Sequence, residues 1–214
     1  QSLTDKPVKK KATSKKSLSE KPTRKRATAK QVPKVTESFK KRAKESMRLH
    51  QHQVKIEEYL MKKRGVVAAF STGSGKTLTA INAAFKLLNN PASGIKKVLI
   101  VTNKSLISRF EEDILKYGED PSDERIVIIS KDSIVKTLAT KKIIPSKKLF
   151  LIIDEAHNFK SISLKTQRAI AARECATKAG KVLLMTATPV YNDIFDAISL
   201  AAMVKGEEPI TKGD

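Results

Sequence analysis

The chain has 214 residues, enough for one core-bearing domain of ordinary size and a tail. Lys and Arg outnumber Asp and Glu by 43 to 22, and the formal net charge of +21 predicts attraction to polyanions such as nucleic acid. The single cysteine, Cys175, excludes an internal disulfide framework and a cysteine-rich zinc site, as expected for a reducing intracellular compartment.

The first segment, residues 1–36, is a basic tail. It holds 12 Lys or Arg against Asp5 and Glu20, and its few larger apolar residues follow neither a helical nor a strand period. We therefore expect this segment to be disordered. Its basic clusters, such as Lys9–Lys11 and Arg24–Arg26, leave three roles open: non-specific phosphate affinity, a nuclear address, or a solubilising linker.

The rest of the chain alternates between short β-rich runs and longer amphipathic segments. A helical segment is predicted over 37–64, and residues 65–214 are predicted to form one βα domain. The predicted strands are Val66–Phe70, Lys97–Thr102, Arg125–Ser130, Lys148–Ile153 and Lys181–Thr186. The predicted helices are Lys76–Leu88, Ser105–Tyr117, Asp132–Ala139, Leu164–Ala179 and Ile194–Val204. Repeated βα units predict an α/β fold with a mainly parallel sheet, helices on both faces, and ligands at the carboxyl ends of the strands.

A phosphate-binding loop is predicted directly after the first strand. The segment reads Ser71-Thr72-Gly73-Ser74-Gly75-Lys76-Thr77 and leads into an apolar helix. Gly73 and Gly75 let the backbone turn tightly and aim its N–H groups inward, beside a helix N-terminus that favours phosphate oxygens. Lys76 is predicted to reach the β and γ phosphates of ATP, and Thr77 to place its hydroxyl on Mg²⁺. The alternative is a Gly-Ser loop before a helix that binds no ligand.

An acidic pair follows the fourth predicted strand. The apolar run Leu149–Ile153 is typical of a strand buried on both faces, and it ends in Asp154-Glu155-Ala156-His157. Asp154 suits Mg²⁺ binding, directly or through water, and Glu155 suits orienting and deprotonating the water that attacks a phosphoryl group. His157 is expected to couple this pair to its neighbours. Taken alone, the four residues also fit a helix N-terminus with favourably placed acids.

Together, these motifs resemble those of superfamily 2 helicases and translocases of the DEAH-box and Swi/Snf-like type. Phe70 stands where the general phosphate-loop pattern has its first glycine, which superfamily 2 does not require. Leu184–Pro189 is similar to the family's third motif, and the resemblance implies that its hydroxyls, Thr186 and Thr188, link nucleotide state to nucleic-acid contacts. Gln53 matches the glutamine that hydrogen-bonds adenine in this branch, so residues 72–77 and Gln53 are the expected nucleotide-binding set. A polar helix start is the alternative for Gln53.

Two further segments are similar to places where this family grips nucleic acid. One is Thr102-Asn103-Lys104-Ser105, after the second predicted strand, and the other is Ser130-Lys131, after the third. The resemblance implies that amides and hydroxyls contact the phosphates of a tracked strand and read little base identity. Simple helix N-caps by Ser105 and Asp132 are the alternative.

The resemblance implies the ATP-binding, RecA-like motor domain of a helicase or translocase that uses ATP and Mg²⁺ and acts on nucleic acid, with DNA favoured over RNA. Family members complete the site with a second RecA-like domain, which supplies arginine fingers, and 214 residues are too few for both domains. We therefore expect the chain alone to hydrolyse ATP poorly. The alternative is a non-catalytic nucleic-acid-binding module derived from a truncated helicase.

The expected location is intracellular. No apolar run approaches the roughly 20 residues needed to cross a bilayer, so no membrane part is predicted. The motifs look most like those of helicase-like ATPases from large cytoplasmic DNA viruses, several of which act in transcription. This resemblance adds the nucleus, a viral factory or the virion as expected sites.

Overall fold

The computed structural model of the protein describes residues 36, 38, 40, 49–71, 73–159, 166–187 and 194–207. The helices are α1 (Gln51–Lys62), α2 (Lys76–Asn89), α3 (Ile107–Lys116), α4 (Ile134–Ala139), α5 (Gln167–Lys178) and α6 (Ile194–Lys205). The strands are β1 (Gly65–Ala69), β2 (Lys97–Thr102), β3 (Ile126–Ser130), β4 (Leu149–Ile153) and β5 (Lys181–Thr186). The tail up to residue 35, most of 37–48, and the predicted site residues Thr72 and Thr188 lie outside the described residues.

The five described strands form one parallel sheet in the order β1-β5-β4-β2-β3. This arrangement confirms the predicted α/β fold, and each strand lies within one residue of its predicted bounds. All five residues of β4 are buried, because β4 lies between β2 and β5 with helices on both faces. A strand in that position needs a continuous apolar run, as the sequence has.

Two apolar layers hold the helices against the sheet. Side chains alternate between the faces of a strand, so Phe150 and Ile152 of β4 pack with α1, α2 and α3 on one face. Leu151 and Ile153 pack with α4, α5 and α6 on the other face. Complete burial of one such side chain contributes about 2 kcal/mol, which makes these layers the main source of the fold's stability.

Three helices begin later than predicted: α5 begins at Gln167, after its N-cap Thr166, and the other two follow a short turn. Lys104–Leu106 and Lys131–Ser133 each form a single 3₁₀ turn, and α3 and α4 begin only after these turns. Neither α3 nor α4 has a side-chain cap, so the alternative reading of Ser105 and Asp132 as N-caps is wrong. Both turns lie at the carboxyl end of the sheet. Their residues are exposed or half-buried.

At the amino end of the sheet, the C-termini of three helices lie against two cationic side chains, Arg64 and Lys181. The Arg64 guanidinium lies where α5 and α6 end, and Nζ of Lys181 donates to the carbonyl oxygens of Leu60 at 2.6 Å and Lys63 at 2.7 Å, where α1 ends. The acceptors of Arg64 are the carbonyl oxygens of Ala176, Thr177, Ala179, Met203 and Val204. Positive charge is favourable there because the last carbonyls of a helix have no partner within the helix.

Candidate functional site

The predicted site residues converge at the opposite, carboxyl end of the sheet. The loop after β1 leads into α2, and the acidic pair lies directly after β4. β5 ends at Thr186, next to both segments because β5 lies between β1 and β4. Parallel strands present all these loops at one edge, which is why motifs spread over more than 100 positions of the sequence meet in space.

The phosphate-loop backbone adopts the conformation that its glycines allow. Gly73 and Gly75 have φ angles of +81° and +82°, in the left-handed region that other residues rarely occupy. The Gly75 carbonyl oxygen accepts hydrogen bonds from the Thr79 backbone N–H at 3.0 Å, the Thr79 hydroxyl at 3.1 Å and Nε2 of Gln53 at 3.1 Å. A Cβ added at Gly75 would collide with Nε2 of Gln53. The loop is therefore fixed by its own helix and by α1.

Asp154 is a buried carboxylate at the end of β4. Its Oδ2 accepts a hydrogen bond from the Thr102 hydroxyl at 2.9 Å, and its Oδ1 accepts one from the Glu155 backbone N–H at 3.1 Å. Burial raises the pKa of Asp154, and the nearby charge of Glu155 adds to this, whereas the Thr102 hydrogen bond and Lys76 oppose it. A partly desolvated carboxylate of this kind gains from a divalent cation close by.

A continuous polar chain runs from the phosphate loop to the end of β5. Nζ of Lys76 donates to Oε1 of Glu155 at 2.9 Å, and Nδ1 of His157 lies 3.2 Å from Oε2 of the same carboxylate. Nδ1 of His157 also lies 3.2 Å from the hydroxyl oxygen of Thr186. Glu155 itself has a φ angle of +51°, a conformation that costs a non-glycine residue about 1 kcal/mol or more. Strain of this kind is concentrated at functional sites.

Gln53 lies against the phosphate loop with both ends of its amide engaged. Its side chain is 1% exposed, Nε2 donates to Gly75, and Oε1 accepts from the His50 backbone N–H at 2.8 Å. His52 reaches the same loop, with Nε2 3.2 Å from the carbonyl oxygen of Ser74. The structure thus places Gln53 beside the nucleotide loop, and its contact with adenine stays a prediction.

The residues predicted to grip nucleic acid fall into two groups. Lys104 and Ser105 are exposed and Asn103 is half-buried, so these side chains face solvent. Thr102 is 1% exposed and its hydroxyl is bonded to Asp154, so it lies beside the acidic pair and not on the surface predicted for a bound strand. Thr186 is likewise buried, against His157.

A basic groove of about 560 Å³ joins the two predicted nucleic-acid segments. Lys104 and Ser130 lie on it, together with Lys136 of α4 and Lys142, for which the sequence patterns predicted no role. Ser130 is buried, with its hydroxyl oxygen 2.8 Å from that of Ser133. Lys131 is half-buried in the adjoining turn. The groove has the charge and the hydroxyl groups that suit a phosphodiester backbone.

A second cavity of about 500 Å³ opens over the phosphate loop and the acidic pair. Its wall on the side of α3 includes Arg109, Asp113 and Lys116, which the sequence motifs did not indicate. Their spacing of four and three residues places them on one face of α3, and Asp113 pairs with both cations, at 4.0 Å and 3.1 Å. This helical spacing was the signal that could have identified the wall.

Two negative findings apply to the described part of the chain. No group of three or more His, Cys, Asp or Glu side chains is placed to hold a metal ion without other ligands. Mg²⁺ at Thr77 and Asp154 would thus need phosphate and water oxygens to complete its coordination. None of the helices in the described residues has the length and apolar character to span a membrane.

Comparisons with known proteins agree with this geometry. The family model described as "Type III restriction enzyme, res subunit" matches residues 30–191. A protein of Acanthamoeba polyphaga mimivirus, whose assigned name is that of an ATP-dependent RNA helicase, is 32% identical over 166 residues, which are 78% of this chain and 34% of that protein. The DNA repair and recombination protein RAD54B of Mus musculus is 31% identical over 165 residues, which are 66% of this chain and 18% of that protein. The chain thus spans about a third or less of the length of these relatives.

A solved structure shows the same fold. The Sulfolobus solfataricus SWI2/SNF2 ATPase core in complex with double-stranded DNA matches with a TM-score of 0.60 and 23% identity, over 75% of this chain and 36% of that chain. At this identity the likeness concerns the fold, a RecA-like sheet with helices on both faces. The chain belongs to the Type III restriction enzyme res subunit family and is the N-terminal RecA-like domain of a superfamily 2 helicase or translocase ATPase.

Proposed function

We propose that this chain binds ATP with Mg²⁺ and, together with a second RecA-like domain, couples ATP hydrolysis to movement along nucleic acid. The observation that carries the proposal is the polar chain Lys76–Glu155–His157–Thr186, with links of 2.9, 3.2 and 3.2 Å. It connects the phosphate-loop lysine to the candidate base and then to the motif that, in this superfamily, responds to nucleotide state. A binding module with no hydrolytic task does not need such a chain.

Each side chain in this chain has a distinct proposed task. Nζ of Lys76 can exchange the Glu155 carboxylate for β- and γ-phosphate oxygens, because both partners are anionic acceptors. The exchange frees Oε1 of Glu155 to accept a proton from the attacking water. The contact between His157 and Oε2 would be kept. His157 would also transmit the altered position of Glu155 to Thr186.

Thr77 and Asp154 are the proposed protein contacts of Mg²⁺. The fit rests on geometry: Asp154 is a buried carboxylate, and it lines the same cavity as Thr77. Mg²⁺ would neutralise charge that develops on the phosphates. Thr102 would hold Asp154 in place through the 2.9 Å hydrogen bond to Oδ2.

We propose nucleic acid as the track, with DNA favoured over RNA. The basic groove between Lys104 and Lys136 supports this, since its lysines and hydroxyl groups suit phosphates. RAD54B is by its name a DNA repair protein, and the matching SWI2/SNF2 core was solved with double-stranded DNA. We further propose a role in viral transcription, in a viral factory, the virion or the nucleus. The mimivirus relative supports only the viral setting, and by its name it is an RNA helicase.

The proposed domain division is a basic tail over 1–36, a helical segment with Gln53 over 37–64 and the RecA-like domain over 65–214. A second RecA-like domain, in the same or another chain, is the proposed partner. The greater length of the relatives supports it.

Binding of a fluorescent ATP analogue tests the proposal on this chain. We expect the wild type to bind with Mg²⁺ and Lys76→Ala to bind about 100-fold more weakly, because a charge-assisted contact to phosphate is lost. Lys178→Ala, at the exposed end of α5 and outside this cavity, is the matched control and should bind nearly as the wild type does. If neither wild type nor variant binds ATP while DNA still binds, the chain is a nucleic-acid-binding module instead.

A further inference from the structure

A cluster of buried polar side chains joins the three helices on one face of the sheet. Glu57 comes from α1, Asn82 from α2, and Tyr117 directly follows α3; all three are buried. Lys86 of α2 completes the cluster from the solvent side. We call these four residues the interhelix hub. None of the motifs described above includes any of them.

The hub is internally satisfied. Nδ2 of Asn82 donates to Oε2 of Glu57, and Nζ of Lys86 donates to Oε1 of Glu57. The Tyr117 hydroxyl donates to Oδ1 of Asn82 at 2.5 Å. Burial raises the pKa of Tyr117 to about 12, with Glu119 and Glu57 adding to the effect, so the phenol remains a donor at neutral pH. In the hub, the charge of the Glu57 carboxylate is thus balanced by Lys86, and both the nitrogen and the oxygen of the Asn82 amide are hydrogen-bonded.

Such a hub fixes the relative position of the helices more sharply than apolar contacts do. Ile56 and Leu60 of α1 also pack into this layer, but the hydrophobic effect is non-directional and specifies no particular partner atom. A buried hydrogen-bonding group that loses its partner incurs a desolvation penalty. The hub therefore selects one register of α1 on α2, and the apolar side chains supply most of the attraction.

That register determines where Gln53 lies. Gln53 and Glu57 are four residues apart and occupy the same face of α1, so α1 meets α2 at two polar points one turn apart. Nε2 of Gln53 bonds to Gly75, immediately before Lys76 begins α2. A shift of α1 at Glu57 would therefore move Gln53 relative to the phosphate loop.

We propose that the interhelix hub positions Gln53 for base-dependent nucleotide binding. Glu57, Asn82 and Tyr117 act as positioning residues: they touch neither phosphate nor base, and they hold the glutamine against the Gly75 carbonyl. The proposal rests on the proposed nucleotide binding at the phosphate loop. It predicts that deletion of one hydroxyl beyond the end of α3 weakens recognition of the nucleoside and spares recognition of the phosphates.

Tyr117→Phe is the sharpest test because it deletes only that hydroxyl. The ring would remain in place, since it stacks on Phe85 at a centroid distance of 6.2 Å. Tyr59→Phe makes the same change on the exposed side of α1 and is the matched control. Glu57→Gln is a second variant, which keeps the shape and removes the charge that Lys86 neutralises.

The first readout compares the dissociation constants of ATP and inorganic tripolyphosphate, both with Mg²⁺. We expect Tyr117→Phe to weaken ATP about fivefold, with tripolyphosphate changed by less than about twofold, because one neutral hydrogen bond is lost away from the phosphates. Glu57→Gln should act in the same direction, and Tyr59→Phe should change neither constant. Equal weakening of both ligands, or unchanged ATP binding, overturns the proposal.

The second readout needs no ligand. In ¹⁵N-labelled protein, the side-chain amide protons of Gln53 should exchange with solvent faster in Tyr117→Phe than in wild type or Tyr59→Phe. The reason is that the hydrogen bond from Nε2 to the Gly75 carbonyl oxygen would open more often. Unchanged exchange overturns the hub proposal even where nucleotide binds. If wild type binds neither ATP nor tripolyphosphate, the proposed nucleotide binding fails, and faster exchange of the Gln53 amide would then support only the hold of the hub on Gln53.

Discussion

Both ends of the parallel sheet carry cationic side chains, but the hydrogen-bond partners of these cations differ between the two ends. At the amino end, Arg64 and Lys181 donate to backbone carbonyls where helices end, and burial lowers the pKa of both cations. At the carboxyl end, Lys76 is paired with the carboxylate of Glu155, whose backbone φ angle lies in the left-handed region. A backbone carbonyl within the fold cannot leave, whereas a side-chain partner can be exchanged for a ligand. Charges that stabilise the fold are thus separated from charges available for chemistry.

The largest expected effect that would sharpen this comparison is on hydrolysis. In the protein joined to a second RecA-like domain, Glu155→Gln should lower the single-turnover rate of ATP hydrolysis about 10²- to 10⁴-fold, because the general base is lost. The melting temperature should change little, since glutamine can still accept hydrogen bonds from Lys76. Hydrolysis at the wild-type rate would contradict the role of Glu155.

Arg64→Ala addresses the other end of the sheet. We expect the free energy of unfolding to fall by about 3 kcal/mol, because carbonyls at two helix ends lose a charged donor. Urea unfolding measures this change, and Arg64→Lys should recover part of it. The folded fraction should keep its affinity for ATP. A variant that loses ATP affinity without losing stability would break the proposed separation between the two ends.

A pair of variants at Glu155 tests the strained backbone. Glu155→Asn and Glu155→Gln both remove the charge, but asparagine tolerates a positive φ angle better. We expect the asparagine variant to unfold at higher urea concentration, with an advantage of about 0.5–1 kcal/mol. Equal midpoints would show that the conformation at this position stores no strain. Both variants should be inactive, so the difference in stability between them would come without a difference in activity.

The smallest expected effect is a pH trend at Asp154. Burial raises its pKa above the ordinary value of 3.8, so the folded state holds the proton more tightly than the unfolded chain does. Its contribution to stability is complete below pH 3.8 and is lost as the pH rises through the folded-state pKa. The stability of Asp154→Asn relative to wild type should therefore increase from pH 4 towards neutrality. A series of urea midpoints with no such trend would contradict the desolvated state of Asp154.

The sequence predicted the elements and motifs whose signal is local. Apolar runs fixed the five strands to within one residue, because a strand such as β4, buried on both faces, permits no polar position. The structure departs from the predictions where distant residues meet. Arg64 donates a hydrogen bond to the carbonyl oxygen of Met203, 139 residues away in the sequence, and no periodicity of the sequence indicates such a pair.

Prediction of the site divides in the same way. The loop glycines and the acidic pair were identifiable because each motif is continuous in sequence. The hydrogen bond of the Thr102 hydroxyl to Asp154 was not anticipated, since it depends on β2 and β4 being neighbours; the contact of this segment with nucleic acid stays a prediction. The interhelix hub was not anticipated, since single polar residues in amphipathic helices carry no local signal of pairing.

The crowding around Gly75 bears on the choice of inactive variants. Gly75→Ala is one candidate for a variant deficient in ATP binding. Here the new methyl group would occupy the space of the Gln53 amide, and its residue would be held at a φ angle of +82°. One substitution would thus strain the loop and displace the Gln53 amide, and any phenotype would combine the two effects. For genetic work, Lys76→Ala is the cleaner loss-of-binding allele.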